Sequence, residues 1–142
     1  DHVEPLPVFE GSWYEPLKDG ERFGVIIATP PQTPGPVPFG PRYGGAAGTK
    51  HLLDVLQGAQ AFLAPKGGRL WLLAITLANP PLLQRALRER FREVILVGET
   101  ERFFEAAEYE AIEKGLFDYL LGLRSEKRSE FADAGERAAA LG

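Results

Sequence analysis

The chain contains no cysteine, and this absence excludes disulfide bonds, thiolate nucleophiles and cysteine-ligated zinc or iron–sulfur centres. It also lacks any apolar run near the ~18 to 20 residues that a membrane-spanning helix needs. We therefore expect no membrane association, and we assign the protein to the cytoplasm by default. The two histidines, His2 and His51, do not have a metal-ligand spacing such as His-Glu-x-x-His. No metal site is predicted.

Methionine is absent as well. Because translation begins at methionine, we expect these residues to be the carboxyl-terminal part of a longer chain. At 142 residues and 44% apolar, they are enough to form one domain with a core of its own. The net charge of -4 argues against a broad nucleic-acid surface, which would normally be basic. The densest basic run, residues 85–92, is interspersed with glutamate and is predicted to be a solvated helix face.

The most informative stretch is a short apolar run that ends in a double proline. Residues 25–28 are rich in β-branched side chains, which predicts a strand buried on both faces. Pro30 and Pro31 end this strand and hold Thr29 stiffly just beyond its carboxyl end. In open α/β sheets, ligands bind at that edge. Taken alone, a Pro-Pro pair is more often only a rigid loop.

Glycine and proline divide the rest of the chain into alternating strands and helices. Six prolines predict a long irregular loop over residues 29–48, and loops of this length are usually functional. Thr49 is a candidate N-cap for a helix over residues 49–63, and Asn79 with Pro80 opens a second helix. Residues 70–77, with Trp71 in the core, and residues 94–97 are predicted as further strands. This alternation predicts a parallel α/β sheet with right-handed crossovers.

Beyond Gly98 the pattern changes. Apolar spacing predicts one amphipathic helix over residues 109–123, and residues 124–142 are predicted as a polar helical or mobile tail. We therefore divide the chain into an α/β unit, residues 1–123, and a tail, residues 124–142. Four aromatic residues in this part are expected in the core, although exposure would indicate a dimer interface; they are Phe103, Phe104, Phe117 and Tyr119.

Four segments, in order and spacing, resemble one enzyme family. They are Phe9-Glu-Gly-Ser12-Trp13-Tyr-Glu-Pro-Leu17, Phe23-Gly24 with Thr29-Pro30-Pro31-Gln32, Tyr43-Gly44-Gly45-Ala-Ala-Gly48, and Pro65-Lys-Gly-Gly-Arg-Leu70. Together they resemble the class I S-adenosylmethionine-dependent methyltransferases, in particular the Asn-Pro-Pro-Tyr-loop branch that methylates glutamine side chains and nucleic-acid bases. The resemblance covers roughly residues 8 to 98, and its order and spacing carry more weight than any single motif.

The resemblance implies a fold, a cofactor and a set of site residues. The fold is a Rossmann-like methyltransferase sheet with flanking helices, present as its carboxyl-terminal half, because the glycine-rich cofactor turn of the family would lie upstream of Asp1. The cofactor is S-adenosylmethionine. The implied catalytic residues are Thr29, Pro30, Pro31 and Gln32; the cofactor-binding residues are Ser12, Trp13 and Thr29; the substrate-binding residues are Tyr43, Gly44 and Gly45. The implied partners are a protein, nucleic-acid or small-molecule methyl acceptor, the missing amino-terminal half, and a second copy in a homo-oligomer.

Departures from the family pattern keep a second interpretation open. Ser12 and Gly24 stand where the family has aspartate, Thr29 stands where it has asparagine, and Gln32 replaces an aromatic residue. A threonine hydroxyl cannot reproduce the two-point contact of an amide, which has a carbonyl acceptor and two N–H donors. The alternative to an enzyme is therefore a non-catalytic, degenerate methyltransferase-like module for binding or assembly.

Overall fold

The computed structural model of the protein describes residues 3–132 and Glu136. Its elements, in chain order, are strand β1 (Val25–Ala28), helix α1 (Lys50–Phe62), strand β2 (Arg69–Leu72), helix α2 (Pro80–Arg90), helix α3 (Ala106–Ile112) and helix α4 (Leu116–Ser125). The two strands pair in parallel, with Val25 opposite Arg69 and Ala28 opposite Leu72. The predicted α/β class is therefore present as a two-stranded parallel sheet with four helices among the described residues. A complete Rossmann-like sheet stays a prediction.

Helix α1 covers the predicted stretch, and helix α2 begins where the sequence predicts. Asn79 caps α2, since its Oδ1 accepts a hydrogen bond from the Leu82 N–H at 3.3 Å, and Pro80 occupies the first turn. Thr49 precedes α1 as predicted, but its side chain makes no capping hydrogen bond. The two helices pack together over one face of β2, where Leu70 and Leu72 contact their shared core. The buried centre of this core consists of Leu52, Leu56, Ala78 and Leu83.

The opposite face of the sheet is exposed, and the prediction that β1 is buried on both faces is wrong. Val25 is 53% exposed, Ile27 is 75% exposed, and Trp71, which we expected in the core, is 45% exposed. Side chains alternate between the two faces of a strand, so these residues point away from α1 and α2. Within residues 3–132, no helix packs over this face. We call it the bare sheet face.

Two further strand predictions are corrected. The second strand covers Arg69–Leu72 instead of residues 70–77. Residues 94–97 form no strand, and all four of these apolar side chains are exposed. A strand needs a neighbour that pairs with its backbone, and in the described part of the chain residues 94–97 have none.

The predicted helix over residues 109–123 is two helices. The chain turns between α3 and α4 at Gly115, which has φ +80°. Glu110 holds this turn because its carboxylate accepts hydrogen bonds from the N–H groups of Gly115 at 2.9 Å and Phe117 at 3.0 Å. Leu116 and Leu120 are buried in a second core. Phe104, Phe117 and Tyr119 pack against that core as expected, whereas Phe103 is exposed.

The predicted tail is described only in part. Glu130 is held beside Thr76 by two hydrogen bonds: its N–H donates to the Thr76 carbonyl at 2.8 Å, and its carbonyl accepts from the Thr76 hydroxyl at 2.6 Å. Residues 133–135 and 137–142 lie outside the described residues, so the division at residue 123 stays a prediction. Within the described chain, no helix combines the length and apolar character needed to cross a membrane.

Candidate functional site

The candidate site lies where the loops that follow β1 and β2 meet. Gln32, in the loop after β1, is only 6% exposed. Its Nε2 donates to the carbonyls of Pro30 at 3.1 Å and Leu73 at 2.8 Å, and its Oε1 accepts from the Ile75 N–H at 2.9 Å. One amide side chain thus ties the two loops together. With these polar contacts made, the geometry gives Gln32 a structural role, and its predicted catalytic role stays untested.

The predicted substrate-binding segment supports the double-proline loop from behind. Gly44 donates its N–H to the Thr33 carbonyl at 2.9 Å, and a Cβ at Gly44 would lie only 2.7 Å from the Gln32 Cα. Gly48, with φ +74°, approaches just as closely, since a Cβ there would overlap the Gln32 carbonyl oxygen. These two positions require glycine because two stretches of backbone pass too close for a side chain. Gly44 and Gly45 are both buried.

A pocket of about 320 Å³ opens at the carboxyl end of β1. We call it the aromatic pocket. It is lined by Trp13, Tyr14, Ile26, Ile27, Ala28, Thr29, Pro30, Pro31 and Val55. Trp13, predicted to bind cofactor, and residues 29–31, predicted to be catalytic, thus line the same pocket. Ser12 does not line this pocket.

Trp13 is held in an unusual backbone conformation. Its φ of +50° lies in the left-handed region, which a bulky side chain rarely adopts and which is found preferentially at functional sites. The turn around it is fixed by the Ser12 N–H, which donates to Glu15 Oε2 at 3.2 Å. The indole ring lies 5.5 Å from the His51 ring, measured between centroids. An aromatic surface is therefore presented at the mouth of the pocket.

Sequence reasoning gave no role to Tyr14, which forms another wall of the aromatic pocket. Its hydroxyl donates to the Val55 carbonyl at 2.8 Å, and its ring stacks on Phe62 with centroids 5.2 Å apart. Burial raises the pKa of Tyr14 above its ordinary value, so the hydroxyl is a neutral donor and not a base. The available signal was Gly58 inside helix α1, because a Cβ at Gly58 would overlap the Tyr14 ring.

A second pocket, also about 320 Å³, lies beside the first. We call it the proline pocket. It is lined by Thr29, Pro30, Pro31, Gln32, Thr33, Pro41, Arg42, Leu73 and Ile75. Arg42, Leu73 and Ile75 were not predicted as site residues. Tyr43, predicted to border the acceptor, does not line this pocket, and its ring instead packs edge-on against Phe39 at 5.2 Å between centroids.

The chemistry available here is that of binding and positioning. Among the described residues that line the two pockets, none is a carboxylate or histidine, so no side chain is placed to act as a strong base. Within the same part of the chain, no group of three or more metal-ligating side chains is close enough to hold an ion. The site offers aromatic and apolar walls, the Thr29 hydroxyl, and one cation at Arg42.

Comparison with known proteins relates part of this chain to a methyltransferase. A release factor glutamine methyltransferase of Burkholderia pseudomallei (strain K96243) is 37% identical over an alignment of 81 residues, a match that covers 48% of this chain and 27% of that protein. The chain thus spans little more than a quarter of the length of the curated relative that it matches. No family model matches the chain, and no solved structure matches it. The predicted resemblance is supported at the level of methyltransferases in general, and the particular branch stays a prediction.

Proposed function

We propose that this chain is part of an S-adenosylmethionine-dependent methyltransferase, in which it supplies one wall of the cofactor site and the loop that positions the methyl acceptor. The observation that carries the proposal is the aromatic pocket. Trp13 and residues 29–31 line the same cavity at the carboxyl end of a parallel strand, where ligands of α/β sheets bind. The similarity to a methyltransferase over 81 residues supports the same reaction class.

The residues of the aromatic pocket fit the adenine end of this cofactor. The Trp13 and Tyr14 rings and the apolar side chains of Ile26 and Val55 suit a flat, weakly polar ring system. The volume of about 320 Å³ also lies within the range of small-molecule sites. S-adenosylmethionine supplies a methyl group on a positively charged sulfur, and that sulfur keeps the electron pair of the broken S–C bond when a nucleophile takes the methyl carbon.

The contribution of the chain to this reaction is orientation. Thr29 lies in the wall between the two pockets, and its exposed hydroxyl can hold the acceptor group by one donated or one accepted hydrogen bond. Pro30 and Pro31 restrict the backbone beside it. Gln32 fixes that backbone to the loop after β2. Rates gain from such fixed geometry because the reacting groups are already aligned when they meet.

The bare sheet face supports a role as part of a larger domain. Parallel sheets are covered by other elements on both faces, yet Val25, Ile27 and Trp71 are exposed here. In the proposed enzyme, the amino-terminal half covers this face and adds the strands that carry the remaining cofactor contacts. The complete protein, and not this chain alone, would then bind cofactor tightly.

The acceptor need not be that of the relative. The name of the relative states that it acts on a glutamine of a release factor. In this chain Thr29 replaces the family asparagine, and one hydroxyl cannot grip an amide at two points. The proposal therefore assigns an acceptor other than a glutamine amide, on a protein, a nucleic acid or a small molecule.

Isothermal titration of S-adenosylmethionine tests the proposal. It would be run on this chain and on the complete product of its reading frame, each with Trp13→Ala and with Leu96→Ala as a control that lines neither pocket. We expect micromolar binding by the complete product, weakened about tenfold by Trp13→Ala because ring stacking contributes about 1 to 3 kcal/mol per base. Leu96→Ala should bind normally. Equal binding by both variants would place the cofactor elsewhere.

A second candidate function, a non-catalytic binding or assembly module, is favoured by the positions at which this chain departs from the family pattern. Ser12, Gly24 and Thr29 all depart from the family pattern, and both polar atoms of the Gln32 amide are hydrogen-bonded inside the protein. A non-catalytic module with these features would use its bare sheet face for assembly with a partner or with a second copy. Absence of S-adenosylmethionine binding by the complete product would favour this module over the enzyme.

A further inference from the structure

We infer that the proline pocket binds the methyl acceptor through a carboxylate or phosphate group, and that Arg42 selects for this charge. This inference rests on the proposed function, because it assigns the second pocket to the second substrate. It concerns a group on the acceptor other than the atom that is methylated.

The two pockets are arranged as a bisubstrate site would be. They share residues 29–31 as a common wall and have no other lining residue in common. The aromatic pocket is bounded by the strand and helix α1, whereas the proline pocket is bounded by the loop after β2. If the cofactor occupies the former, the latter is the adjoining cavity from which an acceptor can reach Thr29.

The shape of the proline pocket is fixed, and most of its wall cannot bind polar groups. Its walls are mainly apolar, with three prolines, Leu73 and Ile75. The polar atoms of the Gln32 amide are engaged with the backbone of the two loops. The Thr33 N–H and carbonyl are likewise paired, with the Arg42 carbonyl at 3.0 Å and the Gly44 N–H at 2.9 Å. Among the residues of this wall, Arg42 offers the charged partner for a polar acceptor, beside the hydroxyl of Thr29.

Arg42 is suited to an anion because its own ion pair is weak. Its Nη1 lies 3.9 Å from Glu108 Oε1, and its side chain is 60% exposed. The same Glu108 oxygen is held more closely by Arg102. Most of the donor capacity of Arg42 is therefore left for a ligand, since a guanidinium has five N–H donors in a fork that matches a carboxylate or a phosphate.

The size and charge of the protein restrict the acceptor further. One arginine beside a cavity of about 320 Å³ suits a small acid or a single acidic group. A polyanion such as nucleic acid would need many cations, and the net charge of the chain is -4. We therefore favour a small molecule that carries one carboxylate or one phosphate over a nucleic acid as the acceptor.

The test is a titration of the full chain monitored by ¹⁵N NMR. The chain is titrated with sodium acetate and with inorganic phosphate, and sodium chloride of equal ionic strength is the control. We expect saturable shifts of the Thr33, Leu73 and Ile75 amides in the millimolar range. Arg42→Gln should weaken this binding about tenfold, because the hydrogen bonds to a charged group are lost. Arg88→Gln, an exposed arginine on α2, should leave it unchanged.

The pattern of amide shifts identifies the anion or rejects the inference. Response to acetate alone assigns a carboxylic acid, and response to phosphate alone assigns a phosphate ester. No shift, or shifts that Arg88→Gln removes equally, would overturn the inference. If Arg42→Gln does not fold, Arg42→Lys decides, since an ammonium cannot reproduce the guanidinium fork and should weaken anion binding, and unchanged affinity would refute the forked contact with Arg42.

The same NMR method tests the proposed cofactor binding separately from the anion binding. In the complete product, S-adenosylmethionine should shift the Trp13 indole and the Ala28 amide, which belong to the aromatic pocket. Anion binding without cofactor binding by the complete product would remove the methyltransferase assignment and leave an anion pocket. Cofactor binding without anion binding would keep the enzyme and remove only the role of Arg42.

Discussion

Two irregular stretches of this chain behave in opposite ways. Residues 29–48 contain six prolines and few large apolar side chains, yet Gln32, Thr33, Pro34, Gly44 and Gly48 are buried. Residues 92–103 include the apolar run 94–97, yet those four side chains are 46% to 76% exposed. Sequence polarity alone would suggest the reverse.

The difference comes from partners for the backbone. In residues 29–48, backbone groups of buried residues such as Thr33 and Gly44 are hydrogen-bonded within the loop, and the side-chain amide of Gln32 bonds to the backbone of the loop after β2. A backbone satisfied in this way can be buried without a regular element. Residues 94–97 have no such partners within the described part of the chain, so their apolar side chains stay at the surface.

We expect the largest loss of stability from Gly48→Ala, which disturbs the buried loop of residues 29–48. The new Cβ would overlap the Gln32 carbonyl, approach Pro34 Cγ to 3.0 Å, and force a side chain into φ +74°. We expect a loss of about 3 kcal/mol or more in the free energy of unfolding, since overpacking costs about 1 to 3 kcal/mol and the left-handed conformation about 1 to 2. Urea unfolding monitored by circular dichroism measures this difference in the free energy of unfolding.

Two other glycines serve as controls for this change. Gly98→Ala in the exposed stretch meets nothing within 4 Å and should change stability by less than about 0.5 kcal/mol. Gly20→Ala has φ +88° but open space, so it isolates the cost of the backbone conformation. A loss at Gly48 no larger than at Gly20 would mean that the close approach to Gln32 is unimportant.

A second comparison sets a buried amide against an exposed leucine. Gln32→Ala removes three hydrogen bonds and leaves the Leu73 carbonyl and the Ile75 N–H without them. We expect a loss of about 2 kcal/mol, because an unsatisfied buried polar group costs about 1 to 3 kcal/mol. Leu96→Ala should cost less than about 0.5 kcal/mol at its exposed site. The midpoints of urea unfolding, measured side by side, test this order, and an equal loss would contradict it.

The same distinction separates what the sequence predicts from what it does not. The start of α2 is local, because Asn79 and Pro80 are adjacent to the turn that they stabilise, and it was predicted correctly. The bonds of Gln32 to Leu73 and Ile75 join residues 41 and 43 positions apart, so no local pattern announces them. The exposure of Ile27 and Trp71 depends on what covers the bare sheet face, and an apolar run does not specify this.

The candidate site divides in a similar manner. Trp13 and residues 29–31 were predicted as site residues through the family resemblance, and the structure places them in one pocket. Arg42 and Ile75 carry no motif, and they line the proline pocket only because Gln32 and Gly44 hold the two loops together. Motifs therefore name residues that line the first pocket, whereas tertiary hydrogen bonds bring Arg42 and Ile75 into the second, and the functional roles stay predictions.

The smallest effect is expected in a third irregular stretch, the turn between α3 and α4. The carboxylate of Glu110 stabilises this turn. Hydrogen bonds from the Gly115 and Phe117 N–H groups lower the pKa of Glu110 from its ordinary 4.5. A lowered folded pKa means that the unfolded chain binds more protons at mildly acidic pH, so the stabilisation is complete above pH 4.5 and is lost as the pH falls through the folded pKa. Glu110→Gln should therefore lower the urea midpoint at neutral pH and flatten its decline below pH 4.5.

The matched control is Glu99→Gln, because Glu99 is an exposed carboxylate in the irregular stretch of residues 92–103. It should leave both the neutral midpoint and the acid decline unchanged. An acid decline that persists unaltered in Glu110→Gln would mean that the turn holds its shape without the carboxylate, as Gly115 alone would allow. Loss of the decline in Glu110→Gln but not in Glu99→Gln would show that here too a side chain bonded to the backbone, and not the polarity of the segment, keeps irregular chain in place.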